Sequence, residues 1–278
     1  MKYISILLLV IPSIFTLGNP SRLGVPEELE ATLFSSRELT PCVACLSAAP
    51  TGEVYAGIDQ IGSLGKGAGF GRILRLFDKN NDGVSDGHTV YAEIDNPRGL
   101  ISVGDKLYVL HTRWGDEKKF EGMFLSVLED KDGDGKADGP PKHLVKEIST
   151  RKYNQVRGVD HTTNGIRMGI DGWIYVAVGD FGFVDATGTD GTKLTMYGGG
   201  IIRVRPDGTE LETFAHGLRN IYDIAIDPFM NVFTRGNTND GGGWNIRFIH
   251  EVQTGQYGYP TLFKRYTSEI IPALVDVG

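Results

Sequence analysis

Cysteine is scarce in this chain of 278 residues: Cys42 and Cys45 are the only two, in one Cys-x-x-Cys. A four-thiolate zinc site would need a second pair, and Leu46 stands where covalent haem attachment requires histidine. A local disulfide, two plain thiols or a redox pair all stay open. Basic charge is also in deficit. Lys and Arg number 28 against 35 Asp and Glu, a net charge of −7. The chain therefore lacks the excess of cations that displaces counterions from phosphates, which argues against nucleic acid. Long apolar runs are missing too, apart from Ile4 to Leu17. That run is shorter than the ~20 residues a bilayer needs. Lys2 before it and Gly18 after it read as a signal peptide over 1–18. The expectation is a folded domain over 19–278 with no membrane span in the mature chain, secreted or periplasmic.

Helical periodicity is absent over any long window, and no G-x-G-x-x-G leads a strand into a helix, so a doubly wound nucleotide-binding fold has no support. Gly-x-Ser-x-Gly and His-Glu-x-x-His are absent as well, which removes the simplest hydrolase readings.

Glycine, by contrast, is abundant, with 38 residues. Many short strands need many turns, and turns often need angles that only glycine reaches cheaply. One pattern recurs: a turn, then an alternating apolar-aromatic strand. It is seen at Gly52 to Gly57, Asp105 to Leu110, Asp171 to Gly179 and Asn231 to Thr234. Second strands follow at Gly71 to Phe77, Gly122 to Leu128 and Gly200 to Arg205, and lead-in strands begin at Asn96, Asn164 and Asn220. The anchor aromatics Tyr55, Tyr108, Tyr175 and Phe233 lie 53, 67 and 58 positions apart. Repeats of this size predict an all-β fold, a β-propeller of four-stranded blades with inserted loops. Leu33 to Leu46 is a candidate strand for a closing blade, and Gln256 to Pro260 is expected to start a further unit. The expectation is the front of a longer protein.

Two acidic loops share one spacing. Asp78, Asn80, Asp82, Val84 and Asp86 match Asp130, Asp132, Asp134, Lys136 and Asp138, with Gly83 and Gly135 at the sixth place. Oxygens at positions one, three, five and nine, with the carbonyl at seven, form a hard-oxygen set suited to Ca²⁺. The twelfth position has no glutamate and the flanks read as strands, so these are not EF-hands. The alternative is a pair of metal-free Asx-turn hairpins.

His161 precedes the strand that ends in Gly179-Asp180. In a propeller both places approach the axis, so His161 and Asp180 can meet. A neutral imidazole takes an alcohol proton, and a carboxylate on its other nitrogen fixes the tautomer. An ordinary loop histidine is the alternative. His111, His216 and His250 are further candidates, and three histidines near one axis would instead indicate a metal. Arg219-Asn220 forms another polar cluster, read either as an anion fork or as a tether between blades. Asn237 to Asn245 is a polar, glycine-rich loop suited to a pocket mouth.

Asp160-His161, the Gly169 to Asp180 stretch, His216-Gly-Leu-Arg219-Asn220 and Gln256-Tyr257-Gly-Tyr-Pro260, in that order, resemble the soluble pyrroloquinoline-quinone (PQQ) glucose and sorbosone dehydrogenases, and among them an exported membrane-bound dehydrogenase branch. The resemblance implies a six-bladed propeller in the full protein. His161 would be the base, oriented by Asp180. Asp160, Arg219 and Asn220 would border PQQ, and Tyr257 would help hold the activating calcium. It further implies a sugar or polyol substrate and a cytochrome c electron acceptor, often as a fused domain. The chain departs from the family pattern at Asn164 to Arg167, which displaces an arginine, and at Ile170, which replaces a proline. Two other functions stay open: a carbohydrate- or protein-binding propeller without cofactor, and a calcium-dependent lactonase-like hydrolase.

Overall fold

A strand whose two alternating side-chain sets are both apolar must be covered on both faces. The central strands here meet that need by packing between two neighbouring sheets. The computed structural model describes residues 24–26, 28–29, 31–62, 64–237, 246–260 and 274–276; the predicted signal peptide lies outside them. They form an all-β, four-bladed propeller.

The first blade joins β1 (Val43–Ala48), β2 (Val54–Asp59), β3 (Gly71–Phe77) and β4 (Gly87–Glu93) as an antiparallel meander. The second is built from β5 (Gly99–Val103), β6 (Lys106–Trp114), β7 (Phe120–Glu129) and β8 (Lys142–Lys146). A seven-residue helix, α1 (Arg151–Arg157), then leads to the third blade, formed by β9 (Thr163–Met168), β10 (Ile174–Val178), β13 (Gly199–Val204) and β14 (Glu212–Leu218). The fourth contains β15 (Ala225–Ile226), β16 (Val232–Arg235), β17 (Arg247–Glu251) and β19 (Val275–Asp276).

The core follows the strand period. On β10, Ile174, Val176 and Val178 pack with Tyr108, Leu110, Met123 and Leu125 of the second blade. Tyr175 and Ala177 turn the other way, to Val232 and Ile249 of the fourth. On β6, Leu107 and Val109 pack with Ile73 and Tyr91 of the first blade. Each inner sheet thus covers two neighbours. Burying a side chain such as Val176 or Tyr175 contributes about 1.5–3 kcal/mol.

Three features differ from the sequence reading. The hairpin of β11 (Phe183–Gly188) and β12 (Lys193–Met196) leaves the third blade after Asp180 and pairs with β8, so the second blade has six strands. Gln256 does not open a new unit: β18 (Gly255–Gln256) lies parallel to β14 on the outer edge of the third blade. Leu33 to Leu46 is a strand only from Val43 on, within β1, at the first blade's inner edge.

The acidic loops close corresponding hairpins, β3 to β4 and β7 to β8. They dock in matching ways. Thr89 Oγ1 donates to the Gly135 carbonyl at 2.7 Å, and Ala137 N donates to the Tyr91 carbonyl at 2.9 Å. Thr32 Oγ1 donates likewise to the Gly83 carbonyl at 3.1 Å, and Ser85 N to the Phe34 carbonyl at 2.8 Å. Residues 32–34 therefore hold the place beside the first blade that the outer strand β4 holds beside the second.

Candidate active site at the His161 corner

Three backbone hydrogen bonds shape the loop that carries His161. Gly179 N donates to the Thr162 carbonyl at 2.5 Å, Phe181 N to the His161 carbonyl at 3.1 Å, and Thr162 N to the Val159 carbonyl at 3.2 Å. The loop before β9 is thereby laced to the end of β10. Gly179 is required for this approach: a Cβ there would lie 2.6 Å from Asn220 Oδ1, and closer still to the carbonyls of His161 and Thr162.

That lacing brings the expected pair together. His161 Nδ1 lies 2.7 Å from Asp180 Oδ1. A carboxylate only accepts, so Nδ1 carries the hydrogen, and in the neutral imidazole Nε2 then carries the lone pair. Phe181 stacks on the imidazole at 5.1 Å, and Thr150 Oγ1 donates to the Phe181 and Gly182 carbonyls at 3.2 and 3.0 Å. The side chains of His161 and Asp180 are 17% and 14% exposed, so the pair is shielded yet reachable. His161 Nε2 and the Asp160 carboxylate have no hydrogen-bond partner among the described residues.

Asn220 lies on the same side. Its Nδ2 donates to the Asp160 carbonyl at 3.0 Å, and its Oδ1 accepts from Asn164 Nδ2 at 3.2 Å. Arg219 Nη1 donates to Asn237 Oδ1 at 2.7 Å, while Asn237 Nδ2 donates to the Asn220 carbonyl at 3.1 Å. Asp160, His161, Asp180, Arg219 and Asn220 thus form one connected cluster. Sequence reasoning missed Phe181, Asn164 and the steric role of Gly179. For Gly179 the signal was its place at a strand end directly before Asp180. The other eight residues of the glycine-rich loop, 238–245, lie outside the described residues.

A cavity of about 850 Å³ opens beside the cluster, lined by Asn220 and Asn237, the Arg167–Asp223 ion pair (2.5 Å), Phe233 and Phe248. Neither His161 nor Asp180 lines it. The His161–Asp180 pair and the cavity are thus neighbouring but separate features, joined through Asn220.

Tyr257 is buried with its hydroxyl committed: it donates to the His250 carbonyl at 2.7 Å and accepts from Val252 N at 2.8 Å. Burial raises its pKa. The arrangement tethers Tyr257 to backbone and leaves it poorly disposed as a metal ligand. The three further candidates, His111 on β6, His216 on β14 and His250 on β17, form no metal-holding group among the described residues.

The acidic loops share one internal pattern. Gly83 N donates to Asp78 Oδ2 at 2.8 Å and Gly135 N to Asp130 Oδ2 at 3.0 Å. Lys79 N donates to Asp86 Oδ2 at 2.7 Å and Lys131 N to Asp138 Oδ2 at 2.8 Å. Val84 N and Lys136 N donate to Asp82 and Asp134 Oδ1 at 2.9 and 2.8 Å. Gly83 and Gly135 take φ of 81° and 83°, which explains glycine at the sixth place. Oxygens of Asp130, Asp132 and Asp138 all lie within 4.8 Å of one another. Asn80 donates to Asp82 in the first loop, at 3.1 Å. The oxygen donor set of the second loop fits a calcium ion. Cys42 and Cys45 are both free thiols. Burial holds Cys45 near 12, far above what a redox nucleophile needs.

Among the described residues, no helix is long and apolar enough to cross a membrane. Similar folds occur among solved structures. A PQQ-bound aldose sugar dehydrogenase from Streptomyces coelicolor is 18% identical, with a TM-score of 0.59 over 86% of this chain and 70% of that one. A Thermus thermophilus oxidoreductase described as a glucose dehydrogenase is also 18% identical, with a TM-score of 0.58 over the same shares. The holo PQQ domain of Coprinopsis cinerea pyranose dehydrogenase is 11% identical, with a TM-score of 0.50 over 80% of this chain and 54% of that one. These likenesses concern the fold. No curated protein matches the chain. The family model for a domain of unknown function, DUF7133, matches residues 44–268, and the chain belongs to that family.

Proposed function

We propose that the protein is an exported oxidoreductase that oxidises a sugar or polyol hydroxyl, using PQQ and calcium. The observation that carries this reading is the His161–Asp180 pair at 2.7 Å, which leaves Nε2 outside the bond to the carboxylate. Asn220 bonds the backbone of Asp160 next to it, and Arg219 is tied to Asn220 through Asn237. A bound quinone would supply the hydride acceptor for alcohol oxidation. The protein's own part is to receive and hold a proton. His161 Nε2 takes the hydroxyl proton of the substrate, and Asp180 stabilises the imidazolium that results. Phe181 steadies the ring for that task by stacking on one face. Arg219 supplies cationic charge for a polyanionic quinone. Asp160 lies on the cofactor side, with Asn220 fixing its backbone.

Calcium is assigned in this reading to the acidic loops, as clips between outer strands. The ligands of the first would be Asp78, Asn80, Asp82, Asp86 and the Val84 carbonyl. Those of the second would be Asp130, Asp132, Asp134, Asp138 and the Lys136 carbonyl. Electrons would leave to a cytochrome c or an equivalent carrier, outside the cytoplasm, as the signal-like residues 1–18 suggest.

A second reading is favoured by one observation. The cavity of about 850 Å³ joins aromatic faces to an ion pair and amides without including His161. Such a lining suits carbohydrate binding without chemistry. Reconstitution of the full-length protein with PQQ and Ca²⁺, followed by dye reduction with a panel of sugars, separates the two. Quinone-dependent turnover is expected. Sugar binding without quinone binding or turnover would establish the second reading instead.

A further inference from the structure

The His161 loop is held from outside its own blade by a chain of side chains that crosses three blades. It begins at Arg98, just before β5 of the second blade. Arg98 is 7% exposed, and its Nη1 donates to Asn164 Oδ1 at 3.2 Å and to the Tyr222 hydroxyl at 3.3 Å. Asn164, on β9, is wholly buried. Its Nδ2 donates to Asn220 Oδ1 at 3.2 Å and to the Ile221 carbonyl at 3.0 Å, with a longer contact of 3.4 Å to the Thr162 carbonyl. Asn220 then donates to the Asp160 carbonyl, one residue before His161. Every step has one direction. Arginine only donates, so Asn164 Oδ1 must accept. Its amide therefore points to Asn220 Oδ1, and the amide of Asn220 points to Asp160. A buried amide that loses this order leaves polar groups unpaired, which is costly.

We infer that Asn164, anchored by Arg98 and acting through Asn220, is a positioning residue for His161. The inference rests on reading His161 as the base, and it adds residues that touch neither substrate nor cofactor. It also explains why asparagine stands second in β9: no other residue of this size both accepts from Arg98 and donates to Asn220. Asn164→Asp keeps the shape and the acceptor but removes the donor.

The test uses the full chain with ¹⁵N-labelled histidine and no cofactor. The Nδ1–H donated to Asp180 gives a downfield proton resonance, assigned by its loss in His161→Gln. In Asn164→Asp that proton is expected to exchange with solvent about tenfold faster, the ratio set by losing one buried hydrogen bond of about 1.4 kcal/mol. Arg98→Lys, a milder change, is expected to broaden the same resonance and decides the matter if Asn164→Asp does not fold. Folded variants with the wild-type exchange rate would overturn the inference. So would the absence of the resonance in the wild-type protein, because no Nδ1–Asp180 bond would then exist to position. Dye reduction with PQQ is run alongside. A wild-type protein that never turns over but whose resonance still responds to Asn164→Asp would remove the oxidoreductase reading and keep the positioning role.

Discussion

Two histidine environments lie on neighbouring blades, and they spend their ring nitrogens differently. On the third blade, His161 spends one ring nitrogen on Asp180 and keeps the other available. On the second, His111 spends both: Nδ1 bonds the Thr112 carbonyl at 3.0 Å and Nε2 bonds Ser126 Oγ at 2.9 Å. Ser126 Oγ continues to His143 Nδ1 at 2.9 Å, and His143 Nε2 meets Arg113 Nη1 at 2.8 Å. The directions are fixed here too. Arg113 donates to His143, His143 to Ser126, Ser126 to His111, and His111 to a carbonyl. This relay is complete with both imidazoles neutral, so it is a structural strut. Burial pushes His111 down to about 4, and His143 is lowered chiefly by burial and then by Arg113. What separates the two sites is a spare nitrogen and access to it, not the residue type.

The sharpest way to break the comparison is to remove each imidazole in turn. His161→Gln in quinone-loaded protein is expected to lower kcat by roughly 10²- to 10⁴-fold with little change in melting temperature. His111→Gln is expected to do the reverse, destabilising the fold while kcat per folded molecule holds. Gly179→Ala comes next. Its Cβ meets two carbonyls and the Asn220 oxygen, so both activity and stability should fall, the latter by about 1–3 kcal/mol in a denaturant titration.

The pH response sharpens the same contrast. His111 titrates lower in the folded protein, at about 4, than unfolded, near 6.5. Its contribution is therefore fully present above pH 6.5 and is lost as pH falls toward 4, amounting to roughly 3 kcal/mol. Glu251 on β17 has the opposite sign. Burial raises it from 4.5 to about 7, so its contribution is present below pH 4.5 and lost as pH rises through 7. The two windows overlap and oppose, so relative to wild type His111→Gln should lose stability as pH rises from 4.5 to 6.5, and Glu251→Gln should gain it over the same range. Calcium supplies the last comparison. At a hundredfold excess over Kd it should stabilise by about 2.7 kcal/mol if it binds only the folded chain. Asp130→Asn should reduce that gain, read as a smaller calcium-induced rise in melting temperature.

Much of the fold was legible because it is local. The turn-aromatic-strand repeat at Tyr55, Tyr108, Tyr175 and Phe233 lies on β2, β6, β10 and β16, and the loop spacing returned the matched hydrogen bonds at Gly83 and Gly135. The exchange of the β11–β12 hairpin onto the second blade was not legible. Its strands carry no signal for which sheet they join, and the pairing at Thr187 and Lys146 is non-local. The same holds for Tyr257, whose hydroxyl looks available in sequence and is committed to backbone in space. His161 and Asp180 were foreseeable from strand ends that face the axis. The Arg98–Asn164–Asn220 chain was not, because each link crosses from one blade to the next.

The most direct test of the central claim is a crystal structure of the full-length protein with PQQ and Ca²⁺. The account predicts a quinone bordered by Asp160 and Arg219, with His161 Nε2 facing its reactive edge and Nδ1 still on Asp180. A quinone bound elsewhere, or an imidazole turned so that Nε2 meets Asp180, would contradict it.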